Sequence, residues 1–366
     1  MPGVLHFADC ASQLKDEAWS RLRLRQVKKA CELFSTAQSR GADADECSGG
    51  RWFCHMLLGN FDQAWQESDA IAGRGAPDPN RLWSGRSVHG KRVVIRCLHG
   101  LGDAIQFIRF VEPLSKVAAE IYVEVPGCLM RLFRSLPQVN RVASWDIPEE
   151  KPLEWDEQVE VMELPKIFRV SERAVCNRVP YLFPPSRYEG RVPDDRLKVG
   201  LAWASSVWDA SRSIPISELL PILPDARLQI WSLQTESTRP GLEEIPIRLR
   251  PRQVIRDSDD VLDTASLIQS LDLVIAVDTM VAHLAGALGK PVWLMLAQPS
   301  DWRWMLDRDD SPWYPTMKIF RQATTGIWAE LVASVQENLE TFAAPPLTGV
   351  DFIEPETAVS ASNPPA

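Results

Sequence analysis

Residues 271–296 read LDLVIAVDTMVAHLAGALGKPVWLML. The run Leu273–Val277 is short, β-rich and unalternating, the pattern of a strand buried on both faces. It ends at the polar pair Asp278-Thr279, and small and apolar residues then continue to Gly289. Thr279 is placed to cap a helix and Gly289 to end it; Pro291 stops it before a second apolar run, Val292–Leu296. Strand, turn, helix and strand make a tight crossover in a parallel sheet. The helix therefore starts at the carboxyl end of a strand, where open α/β sheets bind ligands. Its free N–H groups and the positive end of its dipole favour a phosphate there. Ala282, Ala285 and Gly286 keep it slim, and Thr279 and His283, four apart, share one face near its start. On this stretch alone, a plain capped crossover helix and an anion site explain the pattern equally well.

The length, 366 residues, predicts two domains with an appendage. A composition of 45% hydrophobic and 24% charged residues is that of a soluble globular chain. A net charge of −9 argues against a general nucleic-acid binder and leaves room for local basic pockets. Seven cysteines, at positions 10, 31, 47, 54, 97, 128 and 176, form no CxxC pair, so neither a zinc framework nor a disulfide scaffold is expected. No secretory signal pattern opens the chain, and the most apolar stretch contains Asp272, Asp278 and His283. A cytoplasmic protein, not membrane-spanning but able to sit at a membrane periphery, is expected.

Residues 1–80 read as helical. Leu14–Ser35 carries apolar residues at helical spacing, and Trp52–Ile71 contains LLGNFDQAWQESDAI. In the latter, Gly59, Phe61 and Ala64 resemble the second half of a tetratricopeptide repeat, in which glycine turns the chain between helices. A helical hairpin packed on its neighbour is the expectation, with a partner-binding array as the minor alternative. From residue 81 to about 190 the pattern alternates: RVVIRC (92–97), the turn HGLGD (99–103), helical AIQFIRFVEPLSKV, then the strand IYVEV and helical CLMRLFRSL. Strands are hard to place between Val142 and Pro180. A polar, proline-containing hinge (184–195) precedes a second alternation over 191–342. Here KVGLAWA (198–204), Leu228–Leu233 and the opening stretch are strands, while Ile216–Leu223, Thr264–Leu271 and Ile327–Phe342 are helices. Residues 343–366 read as a disordered tail.

Three turns carry candidate chemistry. In HGLGD, the glycines let the backbone approach a ligand, and Asp103 enters the first turn of the next helix, as a dipole complement or as a general base. GxGxxG and Walker signatures are absent, which disfavours a nicotinamide cofactor and a P-loop. In WASSVWDASRSIP (203–215), Ser205 and Ser206 can donate to phosphate, and Arg212 can neutralise a diphosphate. The third is the Asp278-Thr279 turn. Gln234 ends a strand and is a minor candidate. The DxD pairs at 43–45 and 307–309 read as accidents of composition, and no metal set is expected. Trp302, Trp304, Trp313 and Tyr314 cover the end of the sheet or offer a stacking platform for a base or sugar.

In order and spacing, Gly100-Leu101-Gly102-Asp103, Trp203-Ala204-Ser205, Arg212-Ser213-Ile214-Pro215, Val277-Asp278-Thr279, His283 and Gly289-Lys290-Pro291 resemble the heptosyltransferase-like GT-B glycosyltransferases of family nine. The resemblance runs from about Arg92 to Phe342. It implies an α/β chain with two Rossmann-like domains facing across a cleft, the final helix crossing back to the first, and a small all-helical appendage in front. It implies an inverting, metal-independent transfer from an ADP-, UDP- or GDP-sugar to a glycan, lipid-linked or protein hydroxyl, without a cofactor. Asp103 becomes the base and Arg212 the cation that compensates the leaving group. Gly100, Leu101, Gly102, Trp203, Ser205, Gln234, Asp278, Thr279, Met280 and His283 become the nucleotide-sugar site. Met280 stands where the family has a small residue, and Arg212 where heptosyltransferases have lysine. A non-catalytic interaction protein, docked through the helical segment, is the alternative.

Overall fold

The computed structural model describes residues 3–75, 83, 85–147, 153–171, 178–185, 196–205 and 207–343. Residues 186–195 of the expected hinge, the expected tail beyond residue 343 and Ser206 lie outside them. Four helices open the chain: α1 (Gly3–Arg23), α2 (Val27–Ser39), α3 (Ala44–Leu57) and α4 (Phe61–Arg74), each packed on the next. The single helical pattern over Leu14–Ser35 is in fact broken at Arg25, whose φ of 60° turns α2 back along α1. Leu22, Val27, Ala30 and Phe34 then meet in the core. The appendage is two hairpins, not one. Gly59, at φ 74°, makes the α3–α4 turn as the sequence predicts, because that left-handed conformation carries no Cβ penalty in glycine.

The next unit runs β1 (Arg92–Arg96), α5 (Leu101–Phe107), α6 (Val111–Ser115), β2 (Glu120–Val125), α7 (Gly127–Phe133), β3 (Arg141–Ser144), β4 (Glu157–Glu160) and α8 (Leu164–Ile167). Its four strands are parallel, in the order β3-β2-β1-β4. The last unit runs β5 (Leu197–Ala202), β6 (Leu228–Ser232), β7 (Arg252–Gln253), α9 (Val261–Gln269), β8 (Leu273–Val277), α10 (Met280–Ala287), β9 (Val292–Leu296), β10 (Met317–Arg321) and α11 (Ala329–Phe342). Its six strands are also parallel, ordered β10-β9-β8-β5-β6-β7. All five residues of β8 and all five of β9 are buried, which explains their unalternating apolar sequence.

Three expectations change. Ile216–Leu223 forms only a 3-10 turn, Ile216–Leu219, because Pro215, Pro221 and Pro224 deny donors to a longer helix. Strand β10 escaped the sequence reading: MKIFR is a short edge strand directly behind an aromatic loop. The last helix does not cross back. Leu331, Val332, Val335 and Leu339 of α11 pack with Ile222, Trp293 and Phe320 in the core of its own unit.

Instead, α5 packs directly on α10, and Arg131 of α7 reaches Asp260 (2.8 Å) and Asp263 (3.2 Å) at the start of α9. The N–H of Tyr181, in the segment leaving the first sheet, donates to the Ala287 carbonyl (3.0 Å) at the end of α10. The aromatic loop 301–315 is inserted between the helical appendage and α5. Trp302 meets Trp52 edge-on at 5.4 Å and stacks on Phe107 at 6.4 Å. Trp313 lies edge-on to Phe61 (6.0 Å) and Phe107 (5.8 Å). With Trp302, Trp304, Trp313 and Tyr314 all buried, the loop is core, and the stacking-platform reading falls. Among the described residues, no helix is long and apolar enough to cross a membrane.

Candidate functional site

The site forms where the carboxyl ends of β1 and β8 face each other through the starts of α5 and α10. The approach is tight: a Cβ added at Gly102 would lie 2.8 Å from His283 Cδ2, so only glycine lets the two helix starts meet. Asp103 is the third residue of α5, and its Oδ2 accepts the Gly100 N–H (3.0 Å), closing the HGLGD turn. Leu101 packs against the core behind it.

Opposite, Asp278 directly follows β8 and is 4% exposed. Burial, reinforced by the neighbouring charge of Asp301, raises its carboxyl to about 6, against a pull downward from Arg212 and Arg303. His283 Nε2 lies 4.0 Å from Asp278 Oδ1, and Nδ1 is paired with the Tyr314 hydroxyl at 3.0 Å. Burial and the cations Arg303, Arg109 and Arg212 push this imidazole well below its ordinary range, so it is neutral at pH 7. Thr279 occupies the cap position of α10 with extended backbone, but its side chain makes no capping hydrogen bond, contrary to the sequence reading. Met280 follows, half-buried.

Arg212 extends toward the same place. Its Nη1 is 3.8 Å from Asp278 Oδ2, and its Nε lies 3.3 Å from Asp209 Oδ2 without hydrogen-bond geometry. A cavity of about 180 Å³ opens here, lined by Asp209, Arg212, Asp278, Ala297, Ser300 and Asp301, among others. Among the described residues, Arg212 Nε and Ser300 Oγ are buried polar atoms with no hydrogen-bond partner. Two donors thus face one small space, beside the carboxylates of Asp209, Asp278 and Asp301 that also line it.

Other expected site residues serve the scaffold. Trp203 is fully buried and donates to the Pro240 carbonyl (3.1 Å). Gln234 accepts from Ala204 N–H (3.0 Å) and donates to the Thr238 carbonyl (2.8 Å), which uses both ends of its amide. The Ser205 N–H donates to Ser213 Oγ (2.9 Å) and its hydroxyl to the Asp209 carbonyl (2.6 Å), bracing the loop that carries Arg212. Lys290, part of the resemblance but not an expected site residue, donates to the Leu271 carbonyl (2.8 Å). Among the described residues, no three His, Cys, Asp or Glu side chains form a metal set, the DxD pairs included.

Sequence reasoning missed Arg303, which is 7% exposed and joins the two halves of the site. Its Nη2 donates to Asp103 Oδ1, its Nη1 to Asp301 Oδ1 (2.9 Å) and its Nε to Gln106 Oε1 (2.8 Å). Burial opposes its charge, but Asp301 and Asp103 outweigh that cost and keep it protonated. The available signal was an arginine between two tryptophans in the loop that follows β9.

The Asp278 environment has a measurable consequence. Its folded value, about 6, lies above the ordinary 3.8. Between those values the folded chain holds the extra proton, so stability falls as pH rises through the window, by on the order of 3 kcal/mol. Asp278→Asn is expected to flatten this part of the profile. Thermal denaturation of both proteins from pH 4.5 to 7 checks it, and parallel curves would refute the assignment.

No family model matches the chain. Protein FlbA of Caulobacter vibrioides is 26% identical over 373 residues, an alignment covering 92% of this chain and 62% of that protein. The chain therefore spans under two thirds of that relative's length. Among solved structures, a family 9 glycosyl transferase from Veillonella parvula DSM 2008 superposes with a TM-score of 0.52 at 11% identity, covering 71% of this chain and 99% of the other. ADP-heptose LPS heptosyltransferase II of E. coli gives 0.49 at 14% identity, covering 69% and 98%. Over the 71% of its length that superposes, the chain has the GT-B fold that the family 9 glycosyl transferase also has.

Proposed function

We propose that the chain is an inverting, metal-independent glycosyltransferase, heptosyltransferase-like, that moves a sugar from a nucleotide-diphosphate sugar to an acceptor hydroxyl. The observation that supports this reading is that Arg212 and Ser300, each with a buried polar atom that lacks a hydrogen-bond partner, line one cavity together with Asp278, which leads into the turn that opens α10. The acceptor oxygen attacks the anomeric carbon as its proton passes to Asp103. The bond from that carbon to the diphosphate oxygen breaks, and its electron pair leaves with the nucleoside diphosphate. Attack and departure on opposite faces invert the centre. The α10 dipole and Arg212 stabilise the leaving charge, a task a metal performs in other transferases. The cavity's 180 Å³ is below the roughly 300–1,000 Å³ of whole-ligand pockets, so it fits the diphosphate end of a donor.

A thermal-shift screen against ADP, UDP, GDP, CMP and their sugar conjugates, with magnesium or with EDTA, tests the reading. At a hundredfold excess over Kd, binding adds about 2.7 kcal/mol of stability. One nucleotide family is expected to raise the melting temperature equally in EDTA, and Arg212→Ala to reduce the shift. An interaction protein on the same fold is the competing reading, favoured by the engagement of both Asp103 oxygens. No shift at millimolar nucleotide would favour it.

A further inference from the structure

Asp103 belongs to the first sheet's unit, whereas the guanidinium that grips it comes from the loop after β9, two hundred residues along the chain. That loop does not stand alone. Arg303 lies 4.7 Å from the centre of the Trp302 ring and 5.4 Å from that of Phe107. Trp302 is in turn wedged between Trp52 of α3 and Phe107 of α5, and the Leu306 N–H donates to the Leu57 carbonyl (3.0 Å) at the end of α3. The Arg303 N–H also binds Asp301 Oδ1 (2.9 Å), which fixes the turn itself. Each nitrogen of the guanidinium thus donates to a side-chain oxygen, two of the three to carboxylates.

We propose that Arg303 is the positioning residue for Asp103, and that the helical appendage, through Trp52 and Trp302, holds Arg303 in place. This rests on Asp103 acting as the base. The appendage is then a wall of the active site and not only a docking module. Base catalysis demands a carboxylate aimed at the acceptor hydroxyl, and a misplacement of about 1 Å can cost about a hundredfold in rate. One oxygen of Asp103 is fixed by the Gly100 N–H and the other by Arg303, which leaves the carboxylate a single orientation.

The test measures kcat, KM and donor Kd for the full chain and for Arg303→Met, Arg303→Lys and Trp52→Ala. Arg303→Met is expected to lower kcat about 10- to 100-fold with donor Kd within about 2-fold. Arg303→Lys retains the charge and folding and should recover part of the loss; added guanidinium ion at low millimolar concentration should partly rescue Arg303→Met. Trp52→Ala should reduce kcat in the same direction, and the double variant with Arg303→Met should fall short of the product of the single losses. A wild-type chain that transfers sugar, an inactive Asp103→Asn and an undiminished Arg303→Met would overturn the positioning role alone. So would losses confined to donor Kd, or guanidinium without effect. A wild-type chain that transfers nothing would overturn both this role and the transferase reading.

Discussion

Asp103→Asn is expected to lower the transfer rate by about 10²–10⁴-fold, the usual contribution of a positioned general base, with little change in donor affinity. The amide keeps the shape of the carboxylate and an oxygen that can accept the Gly100 N–H, so the HGLGD turn persists. What it loses is the capacity to take the acceptor's proton. The substitution also removes the negative partner of buried Arg303, though Asp301 continues to neutralise that guanidinium. Folding should therefore survive. Rates measured beside donor titrations separate the outcomes: a parallel loss of binding would make Asp103 a structural residue, and unchanged turnover would place the base elsewhere.

Trp313→Ala should produce the largest stability loss, about 3–5 kcal/mol. Its ring is fully buried and joins three bodies: Phe61 of α4, Phe107 of α5 and Trp302 of its own loop. Removing it opens a cavity where the appendage and both sheet units meet. Against a total of about 5–15 kcal/mol for ordinary proteins, this is a large fraction. Urea denaturation followed by far-UV circular dichroism measures it. Trp313→Phe, which retains an aromatic ring, should cost clearly less. A loss below about 1 kcal/mol would mean that the Trp313 ring is not what ties the loop to α4 and α5.

The parts of the fold that were legible in sequence are those with local signals. Leu273–Val277 and Val292–Leu296 appear in the structure with the boundaries read from their apolar runs, because Asp278, Gly289 and Pro291 punctuate them. The turn at Gly59 was readable for the same reason. Strands Arg141–Ser144 and Glu157–Glu160 are too short to have a period, and they owe their place to pairing with β2 and β1. The pattern across Leu14–Ser35 concealed a break, since Arg25 is not a turn residue and its backbone is set by the packing of two helices.

The candidate site divides in the same way. Asp103 and Asp278 follow strands and precede helices, so strand-turn-helix logic finds them. Arg303 follows no such rule: its role arises from contacts with Asp103, Gln106 and Asp301, two of which are about two hundred residues distant in sequence. Gln234 is expected from its place at a strand end, and Trp203 from the family resemblance. Only the packing shows that their side chains turn inward.

The most direct test is a crystal structure of the full chain with the nucleoside diphosphate that gives the strongest thermal shift, grown in EDTA. The account predicts the diphosphate at the start of α10, within hydrogen-bonding distance of Arg212 and Ser300, with no ion between its phosphates and its β-phosphate facing Asp103 across the cleft. A nucleotide bound elsewhere, or one whose phosphates at this place require a metal, would contradict it.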